Sequence, residues 1–150
     1  MVKDLEDSPE ALVNGVYRQV SDAGAIVVYG VRVKARRATN RWGQMVMQDA
    51  ETWPDDAPYL TMHYFTEGAV EQTPYNRAAA TRMARTIPRS LQGRMAVVIE
   101  DIPLAHMART FTGYMLGLLL PRGVQSAVFT DYDEGLAWLQ EALPDSPVLR

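Results

Sequence analysis

The stretch Arg94-Met-Ala-Val-Val-Ile99 is apolar at every position after its arginine and shows no alternation of hydrophobic and polar residues. Successive side chains of a strand point to opposite faces, so a strand of this kind must be covered on both. It reads as the central strand of a parallel sheet. Just upstream, Thr73-Pro74 places a hydroxyl N-cap before a proline at the first helical position, and Pro88 ends the helix that follows. Ala80, Met83, Ala84 and Ile87 make the core face of that helix over 74–87, and Arg82, Arg85 and Arg89 form a solvated stripe opposite. Further upstream, Tyr59-Leu-Thr-Met-His-Tyr-Phe65 alternates, with Leu60, Met62 and Tyr64 on one face and Thr61 and His63 on the other. This predicts a strand whose Leu60 face is the better buried.

The same reading extends to both ends. Val16 to Val20 and Ala25 to Val33 are β-rich runs joined by Ser21-Asp-Ala-Gly24, a turn by composition, and they read as a hairpin. Trp42, Met45, Val46, Ala50 and Trp53 recur at helical spacing, which predicts a helix over 40–53 capped by Thr39 or Asn40. After the central strand, Asp101 is the expected cap of a helix reaching Leu120. Ser126 to Thr130 is the last strand, and Asp131-Tyr-Asp-Glu134 has capping-box spacing before a final helix to about Leu143. The order β-β-α-β-α-β-α-β-α predicts one α/β domain with a mixed sheet, an N-terminal hairpin followed by parallel strands. Residues 1–14 form a polar lead-in, 15–143 the domain and 144–150 a tail.

Composition narrows the function. With no cysteine and two histidines in 150 residues, disulfides, cysteine nucleophiles and multi-histidine metal centres are excluded. The formal net charge of −3 argues against nucleic acid as a partner. The first ten residues are acidic and lack an apolar run, and no apolar stretch approaches the ~20 residues of a membrane span, so a soluble cytoplasmic protein is expected. The sequence has no G-x-G-x-x-G, P-loop or G-x-S-x-G, and neither His63 nor His106 is placed by a motif beside a serine or aspartate. We therefore expect no catalytic residue, cofactor or metal.

Three segments carry a family resemblance. Tyr59–Phe65, Gly93-Arg-Met-Ala-Val-Val-Ile99 and Phe129-Thr-Asp-Tyr-Asp-Glu-Gly-Leu-Ala-Trp-Leu139 resemble, respectively, the central strand, the G-R-x-A-V-V strand and the V-F-x-D-x-x-E-A-x-x-W-L ending of the STAS domain, in its divergent SpoIIAA-like branch. The resemblance covers somewhat over half the chain. It implies helices stacked mainly on one face of a mixed sheet, and a non-catalytic protein-interaction or regulatory module, most of whose relatives lack an assigned function. A kinase or a sigma-factor regulator is the partner type it implies. In the antagonist proteins a serine or threonine at the start of the helix after the central strand is phosphorylated. Here Thr73 falls on that phosphoacceptor and Glu71 on its acidic neighbour, while Gln72 and Pro74 depart from the pattern. Pro74 removes one of the N–H groups that favour a phosphate at a helix start. A plain N-cap is the simpler role for Thr73.

Three further features bear on function. Glu100-Asp101 after a strand is similar to the Mg²⁺-holding acidic pair of receiver domains, but the acceptor aspartate and late lysine of a receiver are missing. Arg32, Lys34, Arg36, Arg37 and Arg41 form the strongest charge bias, read as a solvated loop at a strand end because no aromatic residues interleave for stacking. The helix over 104–120 is apolar around most of its circumference, with Leu104, Met107, Ala108, Phe111, Tyr114, Met115, Leu118 and Leu119. Its inner side reads as core. Its outer side, with Met107, Phe111, Tyr114, Met115 and Leu118, is the candidate association surface, and a homodimer is expected. The alternative is that this helix binds an apolar small molecule or a membrane surface.

Overall fold

The computed structural model describes residues 15–33, 35–66, 73–100 and 105–144. Strands β1 (Val16–Ser21), β2 (Ile26–Val31), β3 (Tyr59–Phe65), β4 (Gly93–Ile99) and β5 (Val124–Phe129) form one sheet in that spatial order. β1 pairs with β2 antiparallel, and every later pairing is parallel. The hairpin turn falls where composition places it. Asp22, Ala23 and Gly24 take positive φ in succession, and the Gly24 N–H donates to the Ser21 carbonyl at 3.1 Å.

Helices α1 (Arg36–Thr52), α2 (Pro74–Thr86) and α3 (Ala105–Leu119) connect β2 to β3, β3 to β4 and β4 to β5. Each connection steps one strand in the same direction. Right-handed crossovers that all step one way must lie on one face. The three helices accordingly share a core with Val27, Tyr29, Met95 and Val97. Helix α4 (Tyr132–Gln140) follows β5 and is the last element among the described residues. It covers the opposite face, where Leu139 packs with Leu60, Met62, Ala96 and Val98. The expected mixed sheet with helices mainly on one face is the observed architecture. β4 is buried on both sides, as its composition requires.

Close approach at two glycines sets this packing. A Cβ on Gly93 would lie 2.0 Å from the Tyr59 carbonyl oxygen, so β3 and β4 could not start in this register with any larger residue. A Cβ on Gly135 would lie 3.0 Å from Val98 Cγ2, so α4 rests close on the sheet. Arg94 holds the far end of α4. Its guanidinium donates to the Trp138 carbonyl at 2.6 Å and to Glu141 Oε2 at 3.1 Å, and lies over the Trp138 ring. A cation at a helix C-terminus is the favourable end of the macrodipole.

Several expectations are corrected. α1 begins at Arg36, and neither Thr39 nor Asn40 caps it; the N-cap is Ala35, which makes no side-chain cap bond. Thr39 is buried inside the first turns and donates instead to Asn76 Oδ1 of α2 at 2.9 Å. Arg36, Arg37 and Arg41 are therefore helical, while Lys34 lies outside the described residues. β2 stops at Val31, β5 begins at Val124 and α4 ends at Gln140. The largest correction is at β3, which is buried on both faces: Thr61 and His63, beneath three helices, are 0% and 1% exposed, and Leu60 and Met62 on the opposite face are 0% exposed. Leu104 and Asp101 lie outside the described residues.

Candidate functional site

Three parallel strands end side by side at Val31, Phe65 and Ile99, and α1, α2 and α3 follow them in turn. A cavity of about 80 Å³ lies there, between the sheet and α1, α2 and α3. Its floor is aromatic and aliphatic. Trp42 meets Phe65 edge to face with ring centroids 5.9 Å apart, and Met83, Met95 and Met115 also line the cavity. Polar side chains join the lining: Thr39 from α1, Asn76 and Arg77 from the first turns of α2, and Thr112 from α3. The helix spacing that brought Trp42 to notice marks part of this site. Nothing local in the sequence marks Thr39, Asn76 or Arg77, because they converge from separate elements.

His63 is the buried polar residue of the floor. Trp42 Nε1 donates to its Nδ1 at 2.9 Å, which leaves the ring proton on Nε2, 3.5 Å from Thr61 Oγ1. The imidazole also stacks on Tyr29, with centroids 5.1 Å apart. Complete burial penalises the charged form and pushes its pKa down to about 3. A neutral ring with no ionised neighbour suits a structural polar contact better than acid–base work near pH 7.

Helix α3 presents two different surfaces. Inward, Ala108 and Leu116 are buried and Met115 is half-buried against the core. Outward, Met107, Tyr114 and Leu118 are 71%, 70% and 67% exposed, and Phe111 is 37% exposed. These four recur at steps of four, three and four residues, so they form one stripe along the helix. The candidate association surface is thus brought together at four of its five positions. Met115 turns to the cavity side.

Thr73 is the N-cap of α2, its Oγ1 accepting from the Asn76 backbone N–H at 3.1 Å, with Pro74 following. Glu71, the acidic half of the phosphorylation motif, lies outside the described residues. As a cap, Thr73→Ser is expected to be nearly neutral, and Thr73→Ala to cost about 0.5–2 kcal/mol of stability in urea unfolding. A Thr73→Ala protein as stable as wild type would remove the capping role.

A second, open groove of about 450 Å³ lies at the other end of the sheet and includes Arg18, Asp49 and Trp53. Asp49 accepts from Arg18 at 2.9 and 3.0 Å and from the Tyr29 hydroxyl at 2.6 Å. Both carboxylate oxygens are engaged in tying β1, β2 and α1 together, and burial raises the Tyr29 phenol's pKa well above its usual range. This cluster is a structural tie.

Among the described residues no three acidic, histidine or cysteine side chains gather as metal ligands, and no helix is long and apolar enough to cross a membrane. No family model, no curated protein and no solved structure matches this chain.

Proposed function

We propose that the protein is a non-catalytic interaction module of SpoIIAA/STAS-like type that pairs with a second copy of itself through the outer stripe of α3. The observation that carries this reading is the stripe of Met107, Phe111, Tyr114 and Leu118, in which three side chains are two-thirds or more exposed. A soluble domain leaves such a contiguous apolar row uncovered where another surface is to meet it. A straight stripe on one helix can also meet itself about a two-fold axis, the commonest symmetry of homo-oligomers. The sheet order, with three helices on one face, supports the fold half of the proposal. A regulatory partner of the kinase or sigma-factor-regulator type would meet this module in the cytoplasm.

Sedimentation tests the pairing. At tens of micromolar, on the order of common homodimer affinities, the protein is expected to sediment as a dimer at low and high salt alike, because the contact is apolar. Tyr114→Glu with Leu118→Glu is expected to weaken the dimer by about 100-fold or more while leaving the unfolding midpoint of the monomer in place, since both side chains are exposed. A monomeric wild-type protein at that concentration would overturn the reading.

A further inference from the structure

We propose that Met107 is a redox-sensitive modification site, and that oxidation of its thioether by a peroxide releases the self-pairing of α3. The inference rests on the pairing proposed above. The chain has eight methionines and no cysteine, so all of its side-chain sulfur is thioether. Among the described residues these sulfurs differ sharply in exposure. Met45, Met62, Met83 and Met95 are at most 4% exposed, and Met115 is half-buried against the core. Met47 is 36% exposed and Met107 is 71% exposed. An oxidant dissolved in water must meet the sulfur to react, and Met107 is where it meets one most readily.

The position of Met107 gives that selectivity a consequence. It opens the outer stripe of α3, four residues before Phe111. Met47, the other exposed thioether, lies on α1. Within the stripe, Phe111 and Leu118 have no side-chain hydrogen-bond donor. The Tyr114 hydroxyl is the stripe's one such donor, and it stands seven residues further on, roughly 10 Å along the helix axis.

The step needs only the thioether and the peroxide. A lone pair of the Met107 sulfur attacks one peroxide oxygen, the S–O bond forms and the O–O bond breaks. Hydrogen peroxide leaves as water, so the sulfur gives up two electrons and the peroxide takes them. The product is methionine sulfoxide, a polar and chiral group whose oxygen accepts hydrogen bonds. In the unpaired protein water solvates that oxygen. Pairing would bury it in an apolar row, as a polar group without its hydrogen bonds. The paired and the oxidised states therefore oppose each other, and the coupling is reciprocal: pairing also shields Met107 from the oxidant.

Sedimentation of the intact protein before and after hydrogen peroxide, with mass-spectrometric peptide mapping, tests the proposal. At limiting peroxide, Met107 is expected to gain one oxygen ahead of Met47 and of the buried methionines. Protein oxidised at Met107 should pair at least about tenfold more weakly. The two methionine sulfoxide reductases, one for each sulfoxide epimer, should restore the affinity. Raising the protein concentration should slow oxidation at Met107 and leave Met47 unchanged. Met107→Leu keeps an apolar side chain at an exposed position, so it should pair like wild type and hold its affinity after the same treatment. A monomeric unoxidised protein would overturn the pairing and this proposal with it. A dimer of unchanged affinity once Met107 is oxidised, or an equal loss in peroxide-treated Met107→Leu, would overturn this proposal alone.

Discussion

Val97→Asp is expected to leave no cooperative folded state at 25 °C. Val97 is 3% exposed on β4, in the core shared with α1, α2 and α3. Its neighbours across the sheet are His63 on β3 and Val128 on β5. Neither supplies a positive charge, because burial keeps His63 neutral. An aspartate there must either stay ionised without a partner or take up a proton in an apolar site, and each route costs several kcal/mol. Domains of this size hold only about 5–15 kcal/mol in reserve. Val97→Ala removes the same side chain without introducing charge and should cost about 2 kcal/mol. Circular dichroism melts of both variants decide the point. A Val97→Asp protein with the wild-type melting temperature would mean that β4 is not a central strand.

The second large effect is on acid stability. His63 titrates near 3 in the folded protein, against about 6.5 in an unfolded chain. Between those values the unfolded state binds the proton and the folded state does not. Stability is therefore complete above about pH 6.5 and falls as the pH drops toward 3. Integrated over the whole window, the loss is on the order of 5 kcal/mol at fixed geometry. His63→Gln supplies a neutral acceptor for the Trp42 indole and cannot take up a proton in this range. Urea denaturation at pH 7.5 and 4.5 should show a loss in wild type that is larger by several kcal/mol than in His63→Gln, both proteins sharing the background from their carboxylates. Equal losses in the two would show that His63 is not held neutral by burial.

Much of the fold was legible because it rests on local rules. Thr73 and Asp131 were both expected as caps, and each accepts from the backbone N–H three residues on, in Asn76 and Glu134. An N-cap needs only a short polar side chain beside the first free N–H groups, so sequence alone can reveal it. Thr39 looked like the same device and is not one. It sits four residues into α1 because the preceding Arg36-Arg37-Ala38 segment is itself helical, and its hydroxyl reaches across to α2. The cap rule holds only once the helix boundary is known, and that boundary depends on what the first turn packs against.

Periodicity in the sequence determined which residues of each element share a face, how the strands and helices alternate, and that β4 must be an interior strand. Tertiary structure alone decided what covers each face. On β3, composition favoured the Leu60–Met62–Tyr64 side as the deeper one. The strand order β2-β3-β4-β5 instead sends all three crossover helices over the Thr61–His63 side. The handedness of crossovers and the order of strands are properties of the whole sheet, and no window of a few residues encodes them. The same global choice turns Met115 inward while Phe111 and Tyr114 face out, and brings Thr39, Asn76 and Arg77 to one cavity. Those three residues come from two helices separated in the chain by β3, so their meeting is a consequence of packing and not of local sequence.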